Sequence, residues 1–174
     1  MKFLKITISG KICTGKTTLF RNLQKKLNWP VFSTSQYFRD LAGKQKLSLE
    51  KAEEQNEKTT KKVDLRVRDL LKSKGNLIAE GWMTGIMAND YPCILKILLI
   101  CDDKIRIKRF SIRENLDLKK AEKMIKDREE NLLTKLSLIY KRNDFLDPKN
   151  YTLIVNTTNL TPDLAFKSIL AKLA

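Results

Sequence analysis

Short apolar runs alternate with segments of helical periodicity along the chain. The apolar runs are rich in branched side chains, which is typical of buried strands. They cover residues 3–8, 31–34, 76–81, 94–101 and 151–156. After the first run, apolar residues recur every three or four positions between residues 18 and 27, the spacing of one helix face. Strands that alternate with helices indicate a parallel sheet with helices on both faces, so the pattern predicts an α/β fold with five strands.

Residues that favour helix ends mark the helices of the first half. Ser35 is placed to cap a helix over residues 36–42, which Gly43 would end. Ser48 begins a highly charged helical stretch that continues through Lys62. The spacing of charged and apolar residues therefore predicts two consecutive helices after the second strand.

Helical periodicity continues over residues 63–71 and stops before Gly75. Residues 34–74 are thus a mostly helical excursion between two strands, and its polar middle indicates a mobile flap rather than core. Later helices begin at Lys104, near Asp117 and at Pro162. The second of these runs towards residue 142, and the proline of the third stands at its favoured first helical position.

The length of 174 residues predicts one domain. The net charge of +15 has two interpretations, a nucleic-acid partner or a lysine-rich solvated surface with a basic cleft for polyphosphate. Aromatic residues are not interleaved with the basic ones, which favours the second interpretation. RNA contact remains open.

The cysteine and histidine content limits which metal sites, disulfides and catalytic bases the chain could form. Cys13, Cys93 and Cys101 lie far apart without the spacing of metal ligands, and there is no histidine. A zinc site, a disulfide framework and a histidine base are therefore not expected. The free thiols, the lack of a signal-peptide pattern and the lack of a long apolar run predict a cytoplasmic protein with no membrane span.

The segment between the first strand and the first helix matches G-x-x-x-x-G-K-[ST]. Its glycines let the backbone wrap around phosphate groups, and the following helix N-terminus favours anions. Lys16 would reach the β- and γ-phosphates, and the Thr17 hydroxyl would bind Mg²⁺. The sequence therefore predicts binding of a nucleoside triphosphate with Mg²⁺. The candidate contacts are Gly10, Lys11, Ile12, Cys13, Thr14, Gly15, Lys16, Thr17 and Thr18.

A second magnesium-side residue is expected at the end of a neighbouring strand, where P-loop enzymes place an acid. Glu80 ends the third apolar run and is the favoured candidate. Asp102 and Asp103 follow the fourth run, but they directly precede a helix and are better interpreted as its N-terminal cap.

Arginines cluster in the two helices after the fourth strand. Arg109 and Arg113 are four residues apart and share a helix face, and Arg128 lies in the next helix. Phosphoryl transfer needs positive charge around the migrating group, and arginine suits forked phosphate contacts. These three arginines are candidate catalytic residues beside Lys16.

Taken in order, these motifs resemble the nucleoside monophosphate kinases, and most closely the compact archaeal-type cytidylate kinases. The matching segments span almost the whole chain. They are Ile6–Gly10, Phe32–Thr34, Gln36–Ala42, Leu77–Gly81, Arg109 with Arg113, Asp127–Glu129 and Ile154–Thr158.

The resemblance implies a three-layer P-loop NTPase fold with strand order 2-3-1-4-5. It also implies that ATP phosphorylates a nucleoside monophosphate, most closely CMP or dCMP. Residues 34–74 would be the acceptor-side flap and residues of about 110–130 the lid. Arg39 would hold the acceptor phosphate, and Asn156 and Thr157 would lie against the donor base. Ser33, Gln36 and Trp82 complete the candidate acceptor site, and we expect the enzyme to be a monomer.

Three departures separate this chain from the resembled family. Trp82 stands where an arginine usually follows Glu-Gly, and Gln36 stands where an aspartate is usual. The arginines expected beyond Arg128 are replaced by residues 133–135, a leucine, a threonine and a lysine. Trp82 would either stack on a base or pack against Met83 or Met87.

The departures leave two alternatives to a cytidylate kinase. One is an adenylate-kinase-like NTPase that acts as a binding module on RNA or ribosomes, which the positive charge favours. The other is a kinase for a different small acceptor.

Overall fold

The computed structural model describes residues 3–44 and 57–173. All strand pairings are parallel, and the order β2-β3-β1-β4-β5 confirms the expected one. The strands are β1 (Lys5–Gly10), β2 (Val31–Ser33), β3 (Leu77–Glu80), β4 (Ile94–Ile100) and β5 (Leu153–Asn156). The strands β2 to β5 lie within the apolar runs that predicted them, and β1 extends two residues beyond its run, to Gly10.

Helices connect the strands. They are α1 (Lys16–Leu27), α2 (Thr34–Lys44), α3 (Glu57–Lys72), α4 (Thr84–Met87), α5 (Asp103–Glu114), α6 (Leu118–Tyr140) and α7 (Pro162–Leu173). A 3₁₀ turn at Pro148–Asn150 precedes β5. Within the described ranges, no helix combines the length and apolar character that crossing a bilayer requires. The charged helix predicted to begin at Ser48 falls outside the described residues in its first part. Its remaining residues lie in α3, which begins at Glu57.

The predicted ends of α2 are wrong. The helix begins at Thr34, because the Ser33 hydroxyl accepts a hydrogen bond from the Gln36 N–H at 3.2 Å. Ser35, the predicted cap, instead donates its hydroxyl to Glu80. Gly43 lies inside the helix rather than after it, since no left-handed turn forms at that residue.

Two apolar layers enclose the sheet. On one face, Ile6, Ile8 and Ile78 pack with α1 and α7 in the largest cluster. On the other face, Leu77 and Ala79 pack with α3. Neighbouring β3 residues therefore point to opposite layers, as the alternation of a strand requires. This arrangement confirms the three-layer α/β fold.

The helices α5 and α6 pack on each other beside the loop that follows β1. Phe110, Ala121 and Ile125 form the buried centre of this contact. Ile12 and Cys13 of the loop pack against the same cluster. The segment predicted as a lid thus lies directly against the predicted phosphate-binding loop.

Candidate active site

The predicted triphosphate site lies where the carboxyl end of β1 turns into α1. Gly15 precedes α1 with φ of 97°, a left-handed conformation that glycine adopts without strain. The first N–H groups of a helix have no intrahelical partner, and glycine has no side chain that could cap them. The start of α1 therefore favours an anion. Thr17 and Thr18 are exposed on this first turn.

The Lys16 amine folds back onto the loop. Nζ donates to the Lys11 carbonyl oxygen at 2.7 Å, and the Thr14 hydroxyl donates to the same oxygen at 2.9 Å. Burial lowers the pKa of Lys16, while the Glu80 and Glu129 carboxylates act in the opposite direction. A bound phosphate would therefore compete with one carbonyl group for this amine.

The next three carbonyl groups of the loop accept hydrogen bonds from side chains outside it. The contacts join Ile12 to Arg106 at 2.9 Å, Cys13 to Arg109 at 3.4 Å and Thr14 to Thr157 at 3.0 Å. Cys13 has φ of 60°, so a non-glycine residue holds a left-handed conformation between two of these contacts. Residues of α5 and the end of β5 thus determine the shape of the loop.

Arg106 and Glu129 form a buried ion pair behind the loop, with an N–O distance of 2.7 Å. Burial lowers the pKa of Arg106, but the hydrogen bonds that it donates to the Asp103 and Glu129 carboxylates more than offset this and raise the pKa overall. The Glu129 carboxylate also accepts the Ile12 N–H at 2.9 Å. Sequence reasoning assigned neither residue to the site, although Glu129 lies in the segment Asp127–Glu129 that carries part of the family resemblance.

Arg109 bridges the loop and the end of β5. Besides the Cys13 carbonyl, its guanidinium donates to the Thr157 carbonyl at 2.7 Å and approaches the Cys101 sulfur at 3.4 Å. Thr157 is buried, whereas the neighbouring Asn156 is exposed and accepts the Thr158 N–H at 3.0 Å through its side chain. Arg109 therefore lies beside the residues predicted to contact the donor base.

Arg113 and Arg128 meet at one aromatic ring. Their guanidinium carbons lie 4.9 Å and 5.9 Å from the ring centre of Phe110, which is fully buried. Arg113 also forms an exposed ion pair with Glu114 at 2.7 Å. The structure thus brings two of the predicted catalytic arginines together, although they come from different helices.

Glu80 lies buried at the carboxyl end of β3, where it pairs in register with Ser33 of β2. Its Oε2 accepts hydrogen bonds from the Ser33 hydroxyl at 2.6 Å and the Ser35 hydroxyl at 3.0 Å. Gly81 follows, and a side chain there would collide with Thr34 at the start of α2. Close packing at this glycine brings the flap helix against the predicted magnesium-side acid.

Asp102 and Asp103 stand at the start of α5, as predicted. Asp102 is the N-cap residue, and Asp103 accepts two hydrogen bonds from Arg106. The Arg106 hydrogen bond holds the pKa of Asp103 below its usual value. Both aspartates belong to the helix start, and Glu80 remains the candidate for the magnesium side.

Arg39 lies exposed on α2, the helix that follows β2. Its guanidinium donates to the Gln36 side-chain oxygen at 3.2 Å, and the Gln36 amide donates to Asp40 at 2.7 Å. A neighbour on its own helix therefore holds the side chain.

Trp82 packs rather than projecting into solvent. It is half-buried in an apolar cluster around Met83 and Phe145, and Leu132 and Leu133 of α6 join the same cluster. Two positions at which the resemblance expects arginine, 82 and 133, thus contribute to one apolar contact. Packing against Met83 or Met87 is the interpretation of Trp82 that this contact favours.

Comparison with known proteins places these residues in one family. Residues 5–159 match the family described as cytidylate kinase-like. A protein named cytidylate kinase from Sulfurisphaera tokodaii is 34% identical over 97% of this chain and 94% of its own length. One of the same name from Methanobrevibacter smithii is 33% identical over 97% of both chains.

Solved structures show the same fold at lower identity. An uncharacterized protein from Eubacterium ventriosum superposes with a TM-score of 0.73 at 17% identity and covers 97% of both chains. A shikimate kinase from Bacteroides thetaiotaomicron has a TM-score of 0.63 at 14% identity and covers 98% of both chains. These likenesses support the fold alone.

Proposed function

This chain belongs to the cytidylate kinase-like family, and we propose that it transfers the γ-phosphoryl group of ATP to CMP or dCMP. The observation that supports this most strongly is the triphosphate loop itself. It ends in Lys16, has the buried Glu80 nearby and is held by arginines from α5. The enzyme is a nucleoside monophosphate kinase.

The donor would lie along the loop, with its phosphates against residues 10–18. Lys16 would exchange the Lys11 carbonyl for the β- and γ-phosphate oxygens. Arg109 would hold the loop against Thr157, beside the donor base. The exposed Asn156 would contact that base from the end of β5.

Mg²⁺ would enter with the triphosphate. In the described residues, no group of three or more acidic or cysteine side chains is placed to hold a metal ion alone. Magnesium at kinase sites typically binds phosphates, waters and one or two protein oxygens, which the Thr17 hydroxyl and the Glu80 carboxylate fit. When bound, the ion would neutralise charge between the β- and γ-phosphates.

The acceptor would bind between α2 and the end of β3. Arg39 would hold its phosphate, with Ser33, Gln36 and Trp82 near it. An oxygen of that phosphate attacks the γ-phosphorus in line while the bond to the leaving ADP breaks. A general base is not required, because a phosphate oxygen is already anionic near neutral pH.

Residues of about 110–130, from the end of α5 and the first half of α6, would act as the lid and residues 34–74 as the acceptor-side flap. Arg113 and Arg128 both lie over the ring of Phe110. Movement of α5 with α6 would therefore bring both cations to the migrating phosphoryl group together. Closure would also exclude water from the reacting phosphates. We expect the enzyme to act as a monomer, and the free thiols support a cytoplasmic location.

An assay panel tests the proposal. ATP with Mg²⁺ is combined with each ribo- and deoxyribonucleoside monophosphate, and ADP release is coupled to NADH oxidation. We expect CMP and dCMP to have the highest kcat/KM. Inactivity with every monophosphate would contradict the proposal. In that case, RNA affinity that survives physiological salt would favour the binding module, since non-specific phosphate contacts weaken steeply with salt.

A further inference from the structure

Both backbone polar groups of Ile12 are bonded to one buried ion pair. The Glu129 carboxylate accepts the Ile12 N–H at 2.9 Å, and the Arg106 guanidinium donates to the Ile12 carbonyl at 2.9 Å. The two side chains are joined at 2.7 Å and 3.3 Å. One loop residue is therefore held from both sides by α5 and α6.

Stability alone explains this pair poorly. Arg106 is 2% exposed and Glu129 7%, so both charges have lost most of their hydration, which the attraction between them often only balances. The helices that carry them already pack through the apolar centre of Phe110, Ala121 and Ile125. Apolar residues of similar size could join the helices without a desolvation cost.

The ion pair of Arg106 and Glu129 does orient the backbone of Ile12. Its contacts point the Ile12 carbonyl towards the guanidinium of Arg106 and occupy that carbonyl with a hydrogen bond. Cys13 follows with φ of 60°, and its own carbonyl is held by Arg109, one turn after Arg106 on α5. A left-handed residue next to right-handed ones turns consecutive N–H groups into an anion-binding concavity, and such a conformation persists only where neighbours hold it.

We propose that Arg106 and Glu129 are positioning residues for the donor phosphates, and that they act through the backbone of Ile12. They keep the loop in its anion-binding shape and make donor affinity depend on the packing of α5 and α6. This inference rests on the proposed kinase function.

The test compares Glu129→Gln with Glu130→Gln, a matched change at the exposed neighbour on the same helix. ATP affinity is measured by isothermal titration calorimetry and the KM values for ATP and CMP by coupled assay. Glu129→Gln keeps an oxygen that can accept the Ile12 N–H but removes the charge that holds Arg106, so we expect approximately tenfold weaker ATP affinity. We expect the KM for CMP to change less than about twofold, and Glu130→Gln to match the wild type.

A double variant separates positioning from stability. Arg106→Met with Glu129→Leu removes both charges and restores apolar packing, so its melting temperature should approach that of the wild type. We expect its ATP affinity to remain low. Recovery of ATP affinity together with stability, or unchanged ATP affinity in Glu129→Gln, would overturn the proposal. A wild-type protein that binds no ATP would instead refute the proposed function.

Discussion

The Tyr140 hydroxyl donates a 2.7 Å hydrogen bond to the carboxylate of Asp64 and so joins the end of α6 to the middle of α3. Asp64 is buried, and burial raises its pKa to about 6, although the Tyr140 hydrogen bond and the charge of Lys135 act in the opposite direction. The contact connects the helix of the proposed lid with that of the acceptor-side flap. Burial of Asp64, rather than the contact itself, makes stability depend on pH.

We predict that Asp64 causes the fold to lose stability as pH rises from about 4 to about 6. The folded state binds the proton more tightly than the unfolded state, whose carboxyl has an ordinary pKa of 3.8. The contribution is thus fully present below pH 3.8 and is lost by about pH 6, a difference of roughly 3 kcal/mol. Urea unfolding of the wild type and Asp64→Asn across this range measures it. Identical pH slopes in the two proteins would show that Asp64 is not responsible.

Lys16→Ala should abolish phosphoryl transfer and leave the fold intact. The amine contacts the Lys11 carbonyl, and in the proposed complex it neutralises the β- and γ-phosphates. Turnover of ATP with CMP and the melting temperature are measured beside Lys25→Ala, a control at an exposed lysine of the same helix. Near-normal turnover in Lys16→Ala would mean that the loop does not serve the donor phosphates.

Arg39→Ala should weaken the binding of the acceptor CMP without affecting the binding of the donor ATP. We expect kcat/KM for CMP to fall by an amount equivalent to about 2–4 kcal/mol, because a forked arginine–phosphate contact is lost. Stability should change by less than about 0.5 kcal/mol, since the side chain is exposed and its hydrogen bond is to Gln36 on the same helix. Arg21→Ala, at an exposed position on α1, is the control. If the kinetics with CMP do not change, Arg39 does not belong to the acceptor site.

Trp82→Ala should lower the free energy of unfolding by about 1–3 kcal/mol, because the half-buried indole leaves the cluster around Met83. Trp82→Arg loses the same contacts but supplies a fork for the acceptor phosphate. If the pocket keeps the geometry of the family, the arginine variant should have a lower KM for CMP than the alanine variant. Equal KM values in the two variants would show that position 82 does not face the acceptor phosphate.

The amino-acid sequence was sufficient to predict the five strands, the longer helices of the described residues and the glycine-rich loop, but not the short helix α4 or the 3₁₀ turn. Strands, helices and the G-x-x-x-x-G-K-[ST] motif depend on residues close together in the chain, so their patterns can be recognised locally. The strand order followed from the resemblance and was confirmed. The start of α2 was less predictable, because Ser33 and Ser35 are both suited to cap the helix. Which of them does so depends on Glu80 of β3, whose carboxylate accepts hydrogen bonds from both hydroxyls.

Tertiary structure alone decided what each charged residue does. Arg106, Arg109 and Arg113 look alike in the sequence of α5, yet one is buried behind Ile12, one bridges to Thr157 and one lies exposed over Phe110. Their partners come from other elements, and the energy of a charge depends on its burial and on what surrounds it. Spacing along a helix specifies a face, but only packing determines what that face meets.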